Sequence, residues 1–401
     1  MRSNGGEGRR RAAQVLTFLT LATAACGHPR PVPPITVQQQ SYGRFQPVVD
    51  YLQTQVDSAF PGATVAVGYG DSVVLLAAVG HYAANDKRPV TTETVYDLAS
   101  LTKVIALTTE CILLVDRGKL DLDAPVQRYL PEFRGPMKDQ VTIRYLLTHS
   151  AGLVADLPLW DSTRTREAAL AMVDTSPLVS PPGAKFVYSD LSAIVLMQAV
   201  ERITGRPFDQ LLADDVFTPL RMTSTRFAPP TTWRDRIAPT EMDTFFRHRL
   251  LIGEVHDESA ARLDGVSGNA GLFSTAPDLA KFAEWLLDSR LTPGRRPGVS
   301  RPQASPPVVL QFTQRQNIPP GSSRALGWDT PSENSSAGTK MGPNAFGHTG
   351  YTGTSIWFDP DRSLFIILLT NRVNPTRANT RIFQVRRRVA DLVNEIFTPQ
   401  P

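Results

Sequence analysis

Between Phe45 and Phe60, the residues Val48, Leu52, Val56 and Phe60 recur every four positions, a spacing that predicts one buried face of a helix. Residues 63–69 and 73–79 follow as two β-rich runs split by Gly70-Asp71, a hairpin signal. Near the other end, 345–349, 352–358 and 364–370 read as strands punctuated by Gly350 and by Asp359-Pro360-Asp361. Ile382, Val385, Val389, Leu392, Val393 and Ile396 then mark a closing amphipathic helix. Strands at both ends with short turns imply an antiparallel sheet built from the two ends and flanked by helices, an α+β fold with an α/β sandwich lobe. Residues 112–260 read mostly as helix and loop, a helical lobe inserted between 45–111 and 261–401. The stretches 292–307 and 331–343, loaded with Pro, Gly, Ser and charge, read as surface loops.

With 401 residues, 41% hydrophobic and 20% charged, the chain has ample material for a folded core, and disorder is excluded as its main theme. The net charge is +4, but Arg2, Arg9, Arg10 and Arg11 against Glu7 place +3 of it within residues 1–25, leaving +1 for the rest. A phosphate-backbone binder needs a basic footprint on its fold, so a nucleic-acid partner is not expected. After the arginines comes an apolar run, 12–25, centred on Val15, Leu16, Phe18, Leu19 and Leu21. It is shorter than the roughly 20 residues of a membrane-spanning helix and fits the apolar core of a secretory signal. Ending at Cys26, it resembles a bacterial lipoprotein signal, which implies export to the periplasm or cell envelope and lipid anchoring through Cys26. An ordinary cleaved signal is the alternative. Residues 26–44, rich in Pro and Gln, read as an extended tether. Cys111, the only other cysteine, sits in an apolar helical pattern and reads as a small buried hydrophobe, so no disulfide is expected.

Candidate chemistry starts at Ala99-Ser100-Leu101-Thr102-Lys103, which opens a pattern whose apolar positions Leu101, Val104, Ile105, Thr108, Cys111, Ile112 and Val115 predict one buried helix stripe ending at Gly118. Ser100 and Lys103 then share a face of the first turn. A serine hydroxyl is a poor nucleophile at neutral pH and needs a neighbouring base, and a lysine serves as one only if its pKa is lowered. The helix N-terminus offers partial positive charge and free N–H groups where an oxyanion could be held.

Two further segments give this pair a context. Tyr188-Ser189-Asp190 follows Pro181-Pro182-Gly183, and His348-Thr349-Gly350 opens the C-terminal hairpin. A Ser-x-x-Lys helix, a Tyr-x-Asn-like loop and a Lys/His-Thr-Gly strand in this order resemble the serine beta-lactamase-like family, which holds class C beta-lactamases, low-molecular-mass penicillin-binding proteins and related esterases. The resemblance runs from about Phe45 to Ile396 and includes 146–153 (LLTHSAGL). Segments 253–258 (GEVHDE) and 268–274 (GNAGLFS) are similar to the subgroup of penicillin-binding protein 4B-type carboxypeptidases.

The resemblance implies roles residue by residue. Ser100 would be the acylated nucleophile, Lys103 its proton partner and Tyr188 the general base or proton shuttle. The N–H groups of Ser100 and Tyr351 would form the oxyanion hole, and Asp190, His348, Thr349 and Gly350 would belong to the substrate cleft, with His348 and Thr349 toward the substrate carboxylate or its equivalent. Two positions depart from the pattern. Asp190 stands where class C enzymes have Asn, and a carboxylate near Lys103 favours its ammonium form, which moves the base role toward Tyr188. His348 replaces a lysine and removes a permanent positive charge.

The resulting expectation is an exported serine hydrolase that forms an acyl-enzyme on a small ester or amide, with cell-wall D-Ala-D-Ala peptides as leading substrates. It needs no cofactor and no metal. A catalytically degenerate module that binds wall peptides without turnover is the competing expectation. Gly353-Thr354-Ser355 reads as mid-strand in the hairpin, Ser150 after His149 as part of a structural loop, and His256-Asp257 as a hydrogen-bonded cleft wall, while Trp160, Trp233, Trp285, Trp328 and Trp357 read as core or cleft-lining aromatics, with a substrate wall open to Trp160 and Trp328 in their loop-like stretches. Oligomeric state, and the choice among carboxypeptidase, esterase, beta-lactamase and D-amino-acid peptidase, are not legible at this level.

Overall fold

A six-stranded antiparallel sheet joins the two ends of the chain in the computed structural model, which describes residues 41–291, 301–333 and 335–397. The strand order is Asp86–Pro89, Ser72–Ala83, Gly62–Tyr69, Leu364–Thr370, Ser355–Asp359, Phe346–Thr349. Its central seam pairs Gly62–Tyr69 with Leu364–Thr370, in the register Val65 with Leu368 and Ala66 with Ile367.

These strands read as continuous apolar runs because both faces of the sheet are buried, and alternate residues serve different cores. Ala63, Val65, Val67, Leu364, Ile366 and Leu368 pack with the N- and C-terminal helices, Gln46–Gln55 and Ile382–Phe397. Ala66, Ile356, Phe358, Phe365, Ile367 and Leu369 face a larger core containing the helices Thr109–Asp116, Asp190–Thr204 and Ala276–Leu291. A one-residue slip of register would exchange the two sets, so the hydrophobic pattern fixes the pairing.

The structure corrects several expectations. The first helix ends at Gln55, and Val56 and Phe60 lie in the turn after it, joined by a single bridge. Their fourfold spacing reflects burial against the same terminal core, in which Phe60 is 2% exposed, rather than a continued helix. Pro306 and Pro307 belong to the first turn of the helix Pro306–Thr313, where proline costs no hydrogen bond. The stretch 331–343 is not all surface: Ser335 and Ala337 are buried, and the indole of Trp357 donates to Ser336 Oγ at 2.9 Å. Cys111 is buried and free. The candidate signal 1–25, Cys26, and the tether apart from its last residues lie outside the described residues. No helix among the described residues is long and apolar enough to cross a membrane.

Candidate active site

The segment leading into Ser100 is held on three sides. Tyr96–Asp97 pairs with Leu272–Ser274, and Leu98 N–H donates to Leu272 O at 2.9 Å. The buried Asp97 carboxylate accepts from Ala99 N–H at 2.8 Å and from His256 N–H at 2.7 Å. Burial pushes the Asp97 pKa up, and the two backbone donors oppose that rise. From the sheet side, Thr352 Oγ1 donates to Asp97 O at 2.7 Å and Thr354 Oγ1 to Leu98 O at 2.9 Å. These contacts hold Ala99 at φ +48°, a left-handed conformation that costs an alanine about 1–2 kcal/mol, in the residue before the candidate nucleophile.

The helix carrying Ser100 and Lys103 is not the regular α-helix that the apolar stripe predicts. Ala99–Leu101 is a 3₁₀ turn, Lys103–Thr108 is π-helical, and α-helix begins only at Thr109. Hydroxyl groups account for part of the departure. Thr102 Oγ1 donates to Ala99 O at 2.7 Å and Thr109 Oγ1 to Val104 O at 3.0 Å, competing with backbone donors for those carbonyls. The face-sharing expected of Ser100 and Lys103 survives: Lys103 Nζ donates to Ser100 Oγ at 3.0 Å.

Lys103 is 3% exposed, and its other partners are Asn269 O at 2.9 Å and Asp190 Oδ1 at 2.6 Å. Burial alone would drive its pKa down, but the Asp190 charge, joined by Tyr188, outweighs burial and holds the ammonium above the ordinary lysine value. Asp190 reaches this position as the first residue of the helix Asp190–Thr204, whose N-cap is Ser189, with Ser189 Oγ accepting from Ser192 N–H at 3.2 Å.

Tyr188 is positioned by a residue whose role the sequence did not disclose. His149, at φ +54°, accepts from Val187 N–H through its carbonyl at 2.9 Å and from Ser189 N–H through Nδ1 at 3.1 Å, so it grips the chain on both sides of Tyr188. Its ring lies 4.6 Å from the Tyr188 ring. Accepting at Nδ1 places the proton of the neutral imidazole on Nε2, and burial, with Arg324 and Lys103 adding to it, holds the His149 pKa well below the usual value. The LLTHSAGL segment is thus a bracket for the tyrosine loop. Ser150 Oγ is taken up with Thr148 Oγ1 at 2.7 Å, in keeping with a structural turn.

Ser100, Tyr188, His348, Thr349, Gly350 and Tyr351 line one cleft of about 370 Å³, with Lys103 and Asp190 set behind it. His348 donates from Nδ1 to Thr349 O at 2.8 Å, which leaves the lone pair on Nε2, a buried atom without a hydrogen-bond partner among the described residues. Burial, reinforced by Arg324 and Lys103, keeps His348 neutral by depressing its pKa far below the ordinary range. Gly350 is required by space, since a Cβ there would sit 2.1 Å from Thr354 Oγ1 and 2.3 Å from Leu98 O. Tyr351 is half-exposed at the rim, stacked on His256 with ring centroids 5.6 Å apart. His256 itself is a wall element, with Nε2 3.0 Å from Glu241 Oε2, and Asp257 caps the helix Glu258–Arg262 and accepts from Asn269 Nδ2 at 3.1 Å.

Of the tryptophans read as core or cleft-lining, Trp357 lines the cleft, and Trp328 and Trp160 lie away from it. Trp328 is fully buried, packed edge-on against Phe346 and Phe358, because the turn that carries it closes onto the sheet. Trp160 packs against Phe245 and Phe246 and is not among the cleft residues. The cleft also holds Arg324, Arg372 and Arg386, which sequence reading did not select. Arg386 lies within the pattern of the closing helix, and neither Arg324 nor Arg372 falls in a motif that would single it out.

Comparison with known proteins gives the family and the fold. The sequence model of the family described as Beta-lactamase matches residues 45–391. A protein of Salmonella agona, provisionally named a D-alanyl-D-alanine carboxypeptidase, is 31% identical over 369 residues, covering 83% of each chain. Among solved structures, a penicillin-binding protein homolog from Caulobacter crescentus superposes with a TM-score of 0.71 at 21% identity, covering 88% of this chain and 97% of that one. A class C beta lactamase from Rhodobacter sphaeroides gives 0.66 at 20% identity, covering 88% and 99%. The antiparallel sheet with flanking helices is the fold these structures share. A family match across most of the chain, together with a relative above 30% identity over most of its length, makes this protein a member of the Beta-lactamase family of serine hydrolases.

Proposed function

We propose that the protein is an exported serine acyl-transferring hydrolase acting on a small amide or ester, with peptides ending in D-Ala-D-Ala as its leading substrates. The observation that carries this reading is the contact of Lys103 Nζ with Ser100 Oγ at 3.0 Å, in a cleft that also presents Tyr188. In the first half-reaction Ser100 Oγ attacks the substrate carbonyl, its proton passes to Tyr188, and the N–H groups of Ser100 and Tyr351 receive the oxyanion. The C–N or C–O bond then breaks, the leaving group takes the proton from Tyr188, and an ester to Ser100 remains. Water hydrolyses that ester by the same proton route in reverse.

Tyr188 takes the base role because Asp190 favours a charged Lys103, and an ammonium cannot accept a proton. Lys103 then supports the phenolate form of Tyr188 that accepts the proton, and the negative charge that develops on Ser100 Oγ as the proton leaves. Export by the leader 1–25, a lipid anchor at Cys26, the tether 26–44 and a lobe division at 112–260 complete the proposal. It also draws on the name of the Salmonella relative.

The test is turnover of a D-Ala-D-Ala peptide, a p-nitrophenyl ester and a cephalosporin by the purified protein and by Ser100→Ala. Release of D-Ala by the native protein and its loss in the variant support the reading. Turnover of the ester or cephalosporin alone would replace the peptide substrate, and unchanged turnover in the variant would discard Ser100.

A further inference from the structure

The closing helix Ile382–Phe397 turns Val385 and Val389 into the terminal core, and Arg386 stands beside that stripe only 4% exposed. Burying a guanidinium is costly unless its charge is compensated. Arg386 gives its hydrogen bonds to carbonyls rather than to a carboxylate: Nη2 donates to Gly350 O at 2.5 Å and to Thr354 O at 2.8 Å. Nε, also buried, has no acceptor among the described residues. Burial, with the Arg372 charge adding to it, lowers the Arg386 pKa to about 9, so the guanidinium is still charged at pH 7.

The first of these carbonyls belongs to the peptide unit whose N–H is the second oxyanion donor of the proposed reaction. Gly350 O and Tyr351 N–H are opposite ends of one planar amide, so fixing the oxygen fixes the direction of the N–H. Tyr351 N–H has no acceptor among the described residues, which leaves it open to a substrate oxygen. Around it the turn is closed, with Gly350 N–H donating to Thr354 O at 2.7 Å and Gly353 N–H to Gly350 O at 3.1 Å. Arg372 serves the neighbouring carbonyls, donating from Nε to Tyr351 O at 2.7 Å and from its backbone N–H to Thr352 O at 3.0 Å. Those oxygens belong to later peptide units. Of the two arginines, Arg386 is the one bonded to the donor's own amide.

We infer that Arg386 is a positioning residue of the oxyanion hole: its buried charge holds and polarises the Gly350–Tyr351 amide, so that Tyr351 N–H donates more strongly to the oxyanion. A cation on the carbonyl oxygen draws electron density along the amide and leaves the N–H more positive, an effect that low-dielectric surroundings strengthen. Charge on the substrate oxygen appears only as the tetrahedral intermediate forms, so the effect belongs to the rate and not to ground-state binding. The inference rests on the acyl-transfer reading above and adds to it a residue remote from the reacting atoms.

The experiment follows p-nitrophenol release from p-nitrophenyl acetate and from its thiono analogue, in which sulfur replaces the carbonyl oxygen, by the native protein, Arg386→Gln and Arg386→Lys. Sulfur is a weak hydrogen-bond acceptor, so the thionoester reads the rest of the site with little help from the oxyanion hole. The native protein should turn over the ester at least tenfold faster than the thionoester. Arg386→Gln should lose at least tenfold in kcat on the ester, with KM and the thionoester rate each changed less than threefold. Arg386→Lys keeps the charge but not the reach to both carbonyls. It should lose three- to tenfold on the ester and less than twofold on the thionoester, and it decides the question if Arg386→Gln does not fold. Equal losses on the two esters, the mark of a merely disordered turn, would overturn the assignment. So would a loss carried by KM alone, or an unchanged ester rate in either variant. A native protein that releases no p-nitrophenol from the ester, or takes both esters equally, would instead fault the underlying reading of Ser100 and its oxyanion hole.

Discussion

Asp190 Oδ1 lies 2.6 Å from Lys103 Nζ, so the lysine one turn from Ser100 is buried and paired with a carboxylate. In the proposed reaction the pair divides the labour: the paired ammonium stabilises charge, and the phenolate form of Tyr188 carries the proton.

Replacing Asp190 by Asn removes the charge and leaves burial as the dominant influence on Lys103, so its pKa falls. If charged Lys103 supports catalysis, kcat/KM at pH 7 drops at least about tenfold and the alkaline limb of the pH profile moves to lower pH. A pH series on Asp190→Asn checks this, and a faster variant would transfer the base role to Lys103. Tyr188→Phe in the same series should lose about 10²–10⁴ in rate.

The buried imidazoles make the fold acid-sensitive. His149 and His348 are both held neutral with depressed pKa values, whereas in the unfolded chain they take up a proton near pH 6.5. Their contribution is complete above that value and is lost as pH falls below it, by at most about 1.4 kcal/mol per pH unit per group. Thermal melts from pH 7 to 5 should show falling stability, with a shallower slope in His348→Asn.

Asp174 has the opposite sign. Burial raises its pKa to about 6, against which the Gln198 hydrogen bond at 2.9 Å and Lys138 act only in part. The folded state therefore binds this proton more tightly, and stability declines as pH rises from about 4 through 6. Asp174→Asn keeps an acceptor for Gln198 and should add about 1–2 kcal/mol at pH 7, a gain that disappears near pH 4. Melting curves at the two pH values decide it.

At the approach to the nucleophile, strain and close packing make two glycine-related substitutions diagnostic. Gly350→Ala forces a methyl group onto Leu98 O and Thr354 Oγ1 and should cost about 1–3 kcal/mol together with most of the acylation rate. Ala99→Gly relieves the positive φ and should stabilise by about 1 kcal/mol while slowing acylation, since it loosens the residue before Ser100. Denaturant titration and single-turnover acylation separate the two effects.

The sheet and the closing helix were legible in the sequence because their burial is periodic. The runs 63–69 and 364–370 alternate between two cores, and Ile382, Val385 and Val389 recur on one face. Ser100, Lys103 and Tyr188 were legible because a resemblance linked their spacings. The 3₁₀ and π turns around Lys103 were not, since hydroxyl-to-carbonyl bonds from Thr102 and Thr109 leave no trace in an apolar pattern. Nor was the place of Arg324 in the cleft, which comes from a turn paired with the edge strand. Between the core and wall readings open to Trp328, the structure takes the core, because its loop closes onto the sheet and buries the indole.

The most direct test of the account is peptide mapping by mass spectrometry after exposure to benzylpenicillin. The account predicts a covalent penicilloyl adduct on the peptide containing Ser100 in the native protein, and none anywhere in Ser100→Ala. An adduct on another residue, or an unmodified native protein that still hydrolyses its substrates, would contradict it.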